Sequence, residues 1–366
     1  MRCARRHLVV LAAILFSFAV ISVTANEAAA EPARLDAALL TRALARAEQL
    51  PRLRSLLISV DGALVEERYF NGARANHTAN LKSASKSVLS ALIGIALERG
   101  YLKNIRSPIG QYFPEILAVS GDAKKKTITI EDLLTMRSGL ESTSNVNYGR
   151  WVQSGHWVRH VLTRPLIDEP GGRMIYSTGN SHLLSAVLTR AAKMSTYDFA
   201  RRYLADPLGI PLSPWVRDPQ GIYLGGNEMQ WTPRGMLAFG ELFLNGGLAG
   251  GKQVVPERWI KESLKPRTRS RWGREYGYGW WSDFLGGHRT HYAWGHGGQF
   301  IFIVPTLNLV VATTALPTPG DGRREHQRAI YDLMDRDLVP AAEIHSPPAR
   351  RSAPKTQSDA LRDQVD

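Results

Sequence analysis

The run Ser83-Ala84-Ser85-Lys86, with the residues that follow it to Gly100, decides how the rest of the chain is read. Val88, Leu89, Ala91, Leu92, Ile95 and Ala96 recur at helical spacing, and Gly100 supplies a stop, so Ser83 to Gly100 is expected to be a helix. A serine in the first turn holds its hydroxyl near the positive end of the helix dipole. A lysine three residues on lies one turn away on the same face, within reach of that hydroxyl. When such an amine is buried it loses proton affinity and serves as a base near neutral pH. Taken alone the four-residue pattern is short enough to recur by chance, and an N-cap serine followed by a solvated lysine is the structural alternative.

Two further stretches add weight. Gly171-Gly172-Arg173-Met174-Ile175-Tyr176-Ser177-Thr178-Gly179-Asn180 places a tyrosine just ahead of another apolar helix. Trp294-Gly295-His296-Gly297-Gly298-Gln299 sits between two predicted strands, where glycines let a ligand approach the backbone closely. Three motifs in this order are far more specific than any one of them. They resemble those of the penicillin-recognising serine hydrolases, on the branch of class C β-lactamases, D-alanyl-D-alanine peptidases and related esterases. The resemblance runs from about Leu53 to Thr314 and takes in Ile128-Thr129-Ile130-Glu131-Asp132-Leu133-Leu134-Thr135-Met136-Arg137-Ser138-Gly139-Leu140. The Ser83 and Tyr176 segments are similar to 6-aminohexanoate-dimer hydrolase-like members.

The resemblance implies roles. Ser83 is the nucleophile, Lys86 takes its proton and Tyr176 carries a proton to the leaving group. His296-Gly297-Gly298 stands where the family has Lys-Thr/Ser-Gly, so the N–H groups of Ser83 and Gln299 are expected to form the oxyanion hole. Two positions depart from the pattern. The family's Tyr-x-Asn reads Tyr176-Ser177-Thr178, leaving Thr178 or Asn180 to stand for the amide, and His296 replaces a permanent cation. Both changes point away from a dedicated β-lactamase and toward esters or other amides.

Outward from these motifs, Leu35–Leu50 reads as an amphipathic helix, and Leu53–Val60 and Ala63–Phe70 alternate about Asp61-Gly62 as a hairpin. Helical patterns fill the middle at Trp151–Leu162, Ser181–Ala192, Thr196–Leu204, Pro233–Leu244 and Pro256–Leu264. Strands return at Tyr276–Trp281, His291–Trp294, Phe300–Val304 and Leu307–Thr314, before a closing helix at Arg323–Leu338. The fold expected is α/β (α+β): an antiparallel sheet built from both termini, flanked by helices, with a helical insertion at about 105–265. The hydrolase domain is expected over 33–340, and the Pro-, Ser- and Arg-rich 341–366 as a disordered tail.

Arg2, Arg5 and Arg6 followed by the apolar run Leu8–Val23 form a secretory signal pattern. Cleavage is expected near Ala25, or as late as Ala30, with an uncleaved anchor as the alternative. The enzyme is thus expected in the periplasm or secreted. The single cysteine, Cys3, lies within that segment, so the mature chain has no disulfide, no thiol nucleophile and no cysteine-bound zinc. The formal charge of +13 is scattered, which fits contact with an anionic envelope better than nucleic acid.

Neither a metal nor an organic cofactor is expected. His156 and His160 lie four apart but lack the intervening glutamate of a zinc helix, and His288 and His291 are given no role. No serine stands in a Gly-x-Ser-x-Gly frame. Trp272, Tyr276, Tyr278, Trp280 and Trp281 either wall an apolar cleft or pack the sheet. The substrate expected is a small molecule or short peptide carrying an ester or amide carbonyl. The alternative function is a weakly catalytic binder of cell-wall peptides with the same fold.

Overall fold

Leu53–Val60 is buried along almost its whole length, and its alternate residues separate cleanly: Leu57 faces one hydrophobic layer, Leu56 and Ile58 the other. This strand is therefore central, covered on both faces. The computed structural model describes residues 35–118, 122–318, 320 and 322–343. Its principal sheet has eight strands. From one edge to the other they are Ala63–Tyr69, Leu53–Val60, Leu309–Ala315, Gln299–Val304, His288–Gly295, Trp281–Leu285, Glu275–Tyr276 and Thr268–Arg269, every pairing antiparallel. The N-terminal hairpin and the C-terminal strands thus close one sheet, as the sequence pattern predicts.

One face carries Leu57, Ala293, Ile301, Ile303, Val310 and Ala312 and packs against the helices Ser85–Glu98 and Pro233–Leu244. The opposite face carries Ile58, Tyr292, Phe300, Phe302 and Val311, covered by the helix Ala37–Glu48 and the C-terminal helices. The fully buried Asp337 accepts from Arg42 at 2.7 Å and Arg46 at 2.6 Å, tying the first helix to the last. The described residues all lie in one unit spanning Pro32–Asp366.

Several boundaries differ from the sequence reading, each for a local reason. The strand expected at Tyr276–Trp281 is two short strands, because Gly277 N–H bonds to Trp280 C=O at 2.9 Å and closes a turn between them. The helix expected at Trp151–Leu162 divides into Tyr148–Val152 and Trp157–Thr163, since the His156 ring caps the second by accepting from Arg159 N–H at 3.3 Å. His288 opens its strand directly after the Gly286-Gly287 turn, paired with Leu285, and His291 lies within the strand. Ala341 and Ala342, expected in a disordered tail, are buried in the helix Val339–Glu343. The expected leader and residues 344–366 of the expected tail lie outside the described residues. Among the described residues, no helix is long and apolar enough to cross a membrane, and no three His, Cys, Asp or Glu side chains converge as a metal-binding group.

Candidate active site

Ser83 stands in a single 3-10 turn, Lys82–Ala84, that runs into the α-helix Ser85–Glu98. The chain enters this turn through Lys82 at φ +50°, a conformation that costs a non-glycine residue about 1 kcal/mol or more. Lys82 is held there by its N–H bond to Asn80 Oδ1 at 2.9 Å and by its ion pair with Glu228 at 2.9 Å. One turn on, Lys86 is buried, and burial lowers its amine to about 7. Its Nζ lies 3.1 Å from Ser83 Oγ, 2.7 Å from Gly226 C=O and 3.4 Å from Thr178 Oγ1. A neutral amine has two N–H groups and one lone pair. Gly226 and Thr178 take the N–H groups, which leaves the lone pair for the Ser83 hydroxyl.

Tyr176 arrives from just before the helix Thr178–Ala192, with its ring 5.1 Å from Lys86 Nζ. Its phenol is pushed up to about 12 by burial, the Ser83 hydroxyl beside it pulling the other way. Trp281 stacks on this ring at 6.0 Å and Tyr276 meets it edge-on at 6.5 Å, fixing its plane. The three motifs therefore converge, and Ser83, Tyr176 and His296 line one cleft of about 400 Å³.

Of the paired candidates for the missing amide, Thr178 is the one at the site. Asn180 is fully buried in the next turn, where its Oδ1 accepts from Ser138 Oγ at 2.9 Å, away from the cleft lining. His296 lines the cleft, and its ring, partly enclosed there, is held below its usual range by that burial and by Arg323, Lys82 and Arg52. Arg323 Nη1 lies 3.5 Å from His296 Nδ1, so a permanent cation stands at this position after all, supplied from a distant helix. Gln299 is buried behind the hairpin. Its Nε2 donates to Ala315 C=O at 2.7 Å and its Oε1 accepts from Ala315 N–H at 3.1 Å, so its side chain serves the sheet. Gly297 and Gly298 are likewise required by packing: a Cβ at Gly297 would press on Pro317, and one at Gly298 on His326 and Ala315.

The aromatic stretch divides between its two expected roles. Trp272 and Trp281 join Trp294 in walling the cleft. Trp280 packs between Phe239 and Phe243, and Tyr278 stacks on Trp259 while donating to Glu131 at 2.6 Å. Sequence reading missed Gly226, whose carbonyl holds the lysine, and Arg323. The Gly225-Gly226 pair carried a signal, since paired glycines mark close backbone approach; Arg323 carried none.

An antiparallel sheet closed by both termini and flanked by helices thus carries a serine and a buried lysine at the root of its central helix. The chain belongs to the beta-lactamase family, matched over residues 52–333, and is a serine-hydrolase-type enzyme. It is 24% identical over 310 residues to the 6-aminohexanoate-dimer hydrolase of Paenarthrobacter ureafaciens, covering 77% of each chain. Its fold is similar to that of a penicillin-binding protein homologue from Caulobacter crescentus, with a TM-score of 0.66 at 15% identity over 84% of this chain and 97% of that one. It is also similar to EstCE1, described as a hydrolase with promiscuous acyltransferase activity, with a TM-score of 0.68 at 18% identity over 83% and 99% of the two chains.

Proposed function

We propose that the protein hydrolyses a carboxylic ester or amide through an acyl-enzyme on Ser83. The observation that carries this reading is the 3.1 Å contact between the Ser83 hydroxyl and a buried amine lowered to about 7. Ser83 Oγ attacks the carbonyl carbon while its proton passes to Lys86 Nζ. As the tetrahedral intermediate collapses, the bond to the leaving oxygen or nitrogen breaks. Tyr176 gives that atom its proton and regains one from the Lys86 ammonium; a phenol near 12 acts here as a donor rather than a standing phenolate. Water then attacks the acyl-enzyme with the proton path reversed, releasing the acid. Donors at the oxyanion, with the Ser83 N–H and the Gly295–Gln299 turn as candidates, contribute about 3–4 kcal/mol each in comparable sites.

The lining of the cleft supports a substrate class. Three indoles, Trp272, Trp281 and Trp294, offer the substrate an apolar wall. An ester or open-chain amide with an apolar portion suits this wall, and the likeness to a 6-aminohexanoate-dimer hydrolase supports the same choice. The basic, apolar N-terminal stretch and the +13 charge support an exported enzyme acting near an anionic envelope.

Steady-state hydrolysis of p-nitrophenyl butyrate, an N-acyl p-nitroanilide and a penicillin tests the reading. The wild type is expected to turn over the ester or anilide faster than the penicillin, and Ser83→Ala to lose at least about 10³-fold in kcat. Comparable turnover by Ser83→Ala would remove Ser83 from the chemistry.

A further inference from the structure

Behind the lysine lies a buried pair that the reaction as written does not use. His182, on the helix Thr178–Ala192, and Asp218 are both fully enclosed, with Nε2 and Oδ2 3.0 Å apart. The ring is wedged between Trp151 and Trp157, at 5.7 and 5.5 Å. Asp218 Oδ1 also accepts from Ile222 N–H at 2.8 Å and Gln220 N–H at 2.9 Å. Burial works to raise its carboxyl, but these bonds and the His182 contact outweigh that and hold it below its usual range. Asp218 is thus ionised, so Nε2 must carry the proton it shares with the carboxylate.

That assignment fixes the other side of the ring. Nδ1 faces Gly225 N–H, which donates to it at 3.5 Å, so this nitrogen serves as an acceptor. Gly225 leads directly into Gly226, whose carbonyl accepts from Lys86 at 2.7 Å. The segment has little slack: a Cβ at Gly225 would overlap Ser181, and one at Gly226 would sit 2.7 Å from Lys86 Cγ. Ser185 Oγ donates to Tyr223 C=O at 2.6 Å and clasps the same segment to the same helix.

We infer that His182, oriented by Asp218, is a positioning residue that sets the Gly226 carbonyl against Lys86 and thereby aims the lysine lone pair at Ser83. This rests on the Ser83–Lys86 reading above. The pair acts through the backbone and does not touch the substrate. Its removal therefore lowers the rate of acylation and leaves substrate affinity alone.

Two isosteres separate positioning from mere packing. His182→Asn keeps an acceptor where Nδ1 stood and abandons Asp218; His182→Gln keeps a donor toward Asp218 and abandons Gly225. Stability should rank Gln above Asn, because Asn leaves a buried carboxylate without its partner. Acylation per folded molecule should rank the other way, with Asn within about threefold of wild type and Gln at least tenfold slower at unchanged KM. The rates come from fluorophosphonate labelling of the full chain followed by intact mass, and stability from thermal unfolding. Activity that follows the stability order, or wild-type rates in both variants, would overturn the inference. Should neither variant fold, Asp218→Asn takes their place: it removes the charge that fixes the tautomer, and a proton on Nδ1 would then oppose Gly225 N–H. The same tenfold loss at unchanged KM is expected there, and wild-type acylation would again overturn the inference. Ser83→Ala is labelled in parallel. An adduct on that variant defeats the underlying reading, whereas a clean Ser83→Ala beside unaffected His182 and Asp218 variants defeats only the present one.

Discussion

At the residue scale the site turns on one buried amine. With Lys86 lowered to about 7, the neutral form that the proposed reaction requires is dominant above that pH and falls tenfold for each unit below it. The acylation rate should therefore rise with pH to a midpoint near 7 and then level off. A pH series of single-turnover labelling checks this; a flat profile from pH 5 to 9 would contradict it. Ser83, Lys86 and Tyr176 were legible because each belongs to a motif whose spacing encodes a contact. The partners of Lys86 were less so. Gly226 is 140 residues away in sequence, and a backbone carbonyl is named by no side chain. Arg323 reaches His296 only because the C-terminal helix returns past the hairpin, which spacing does not reveal.

At the element scale, the helix Ser85–Glu98 and the helix Thr178–Ala192 hold the site between them, and the Gly225-Gly226 segment closes it. Gly226 takes φ +82°, and a Cβ there would lie 2.6 Å from Ser181 Cβ and 2.7 Å from Lys86 Cγ. Gly226→Ala is expected to push the lysine off its acceptor and cost about 10²-fold in kcat, the usual penalty for an ångström of misplacement. Wild-type kcat in that variant would show that the carbonyl contact is dispensable. Long periodic elements such as Pro233–Leu244 and the first hairpin were readable from sequence. The stretch from Tyr276 to Trp281 was not: aromatic residues suit a strand, but Gly277 and Gly279 make a turn, and Trp280 and Tyr278 pack against helices rather than along the sheet.

At the scale of the whole molecule, the sheet joins the two ends of the chain, and Asp337 secures the helices that cover its outer face. Asp337→Ala removes two charged hydrogen bonds from a buried acceptor, while Arg42 and Arg46, partly exposed, can turn to solvent. A loss of about 2 kcal/mol is expected, read as a fall of several degrees in the thermal midpoint; an unchanged midpoint would show the tie to be incidental. Kinetics per folded molecule should not change, because neither Asp337 nor its two arginine partners line the cleft. That one sheet joins both ends of the chain was predictable from strands at both ends and helices between. The way the C-terminal helix continues to Glu343 was not, since the Pro- and Ala-rich sequence there resembles a tail. The central claim, that Ser83 carries the acyl group, is tested most directly by intact-mass and peptide mapping after brief exposure to a fluorophosphonate and to p-nitrophenyl butyrate. One adduct per chain is expected, on Ser83 and absent in Ser83→Ala; an adduct on any other residue, or none on a folded and active enzyme, would rule Ser83 out as the acyl carrier.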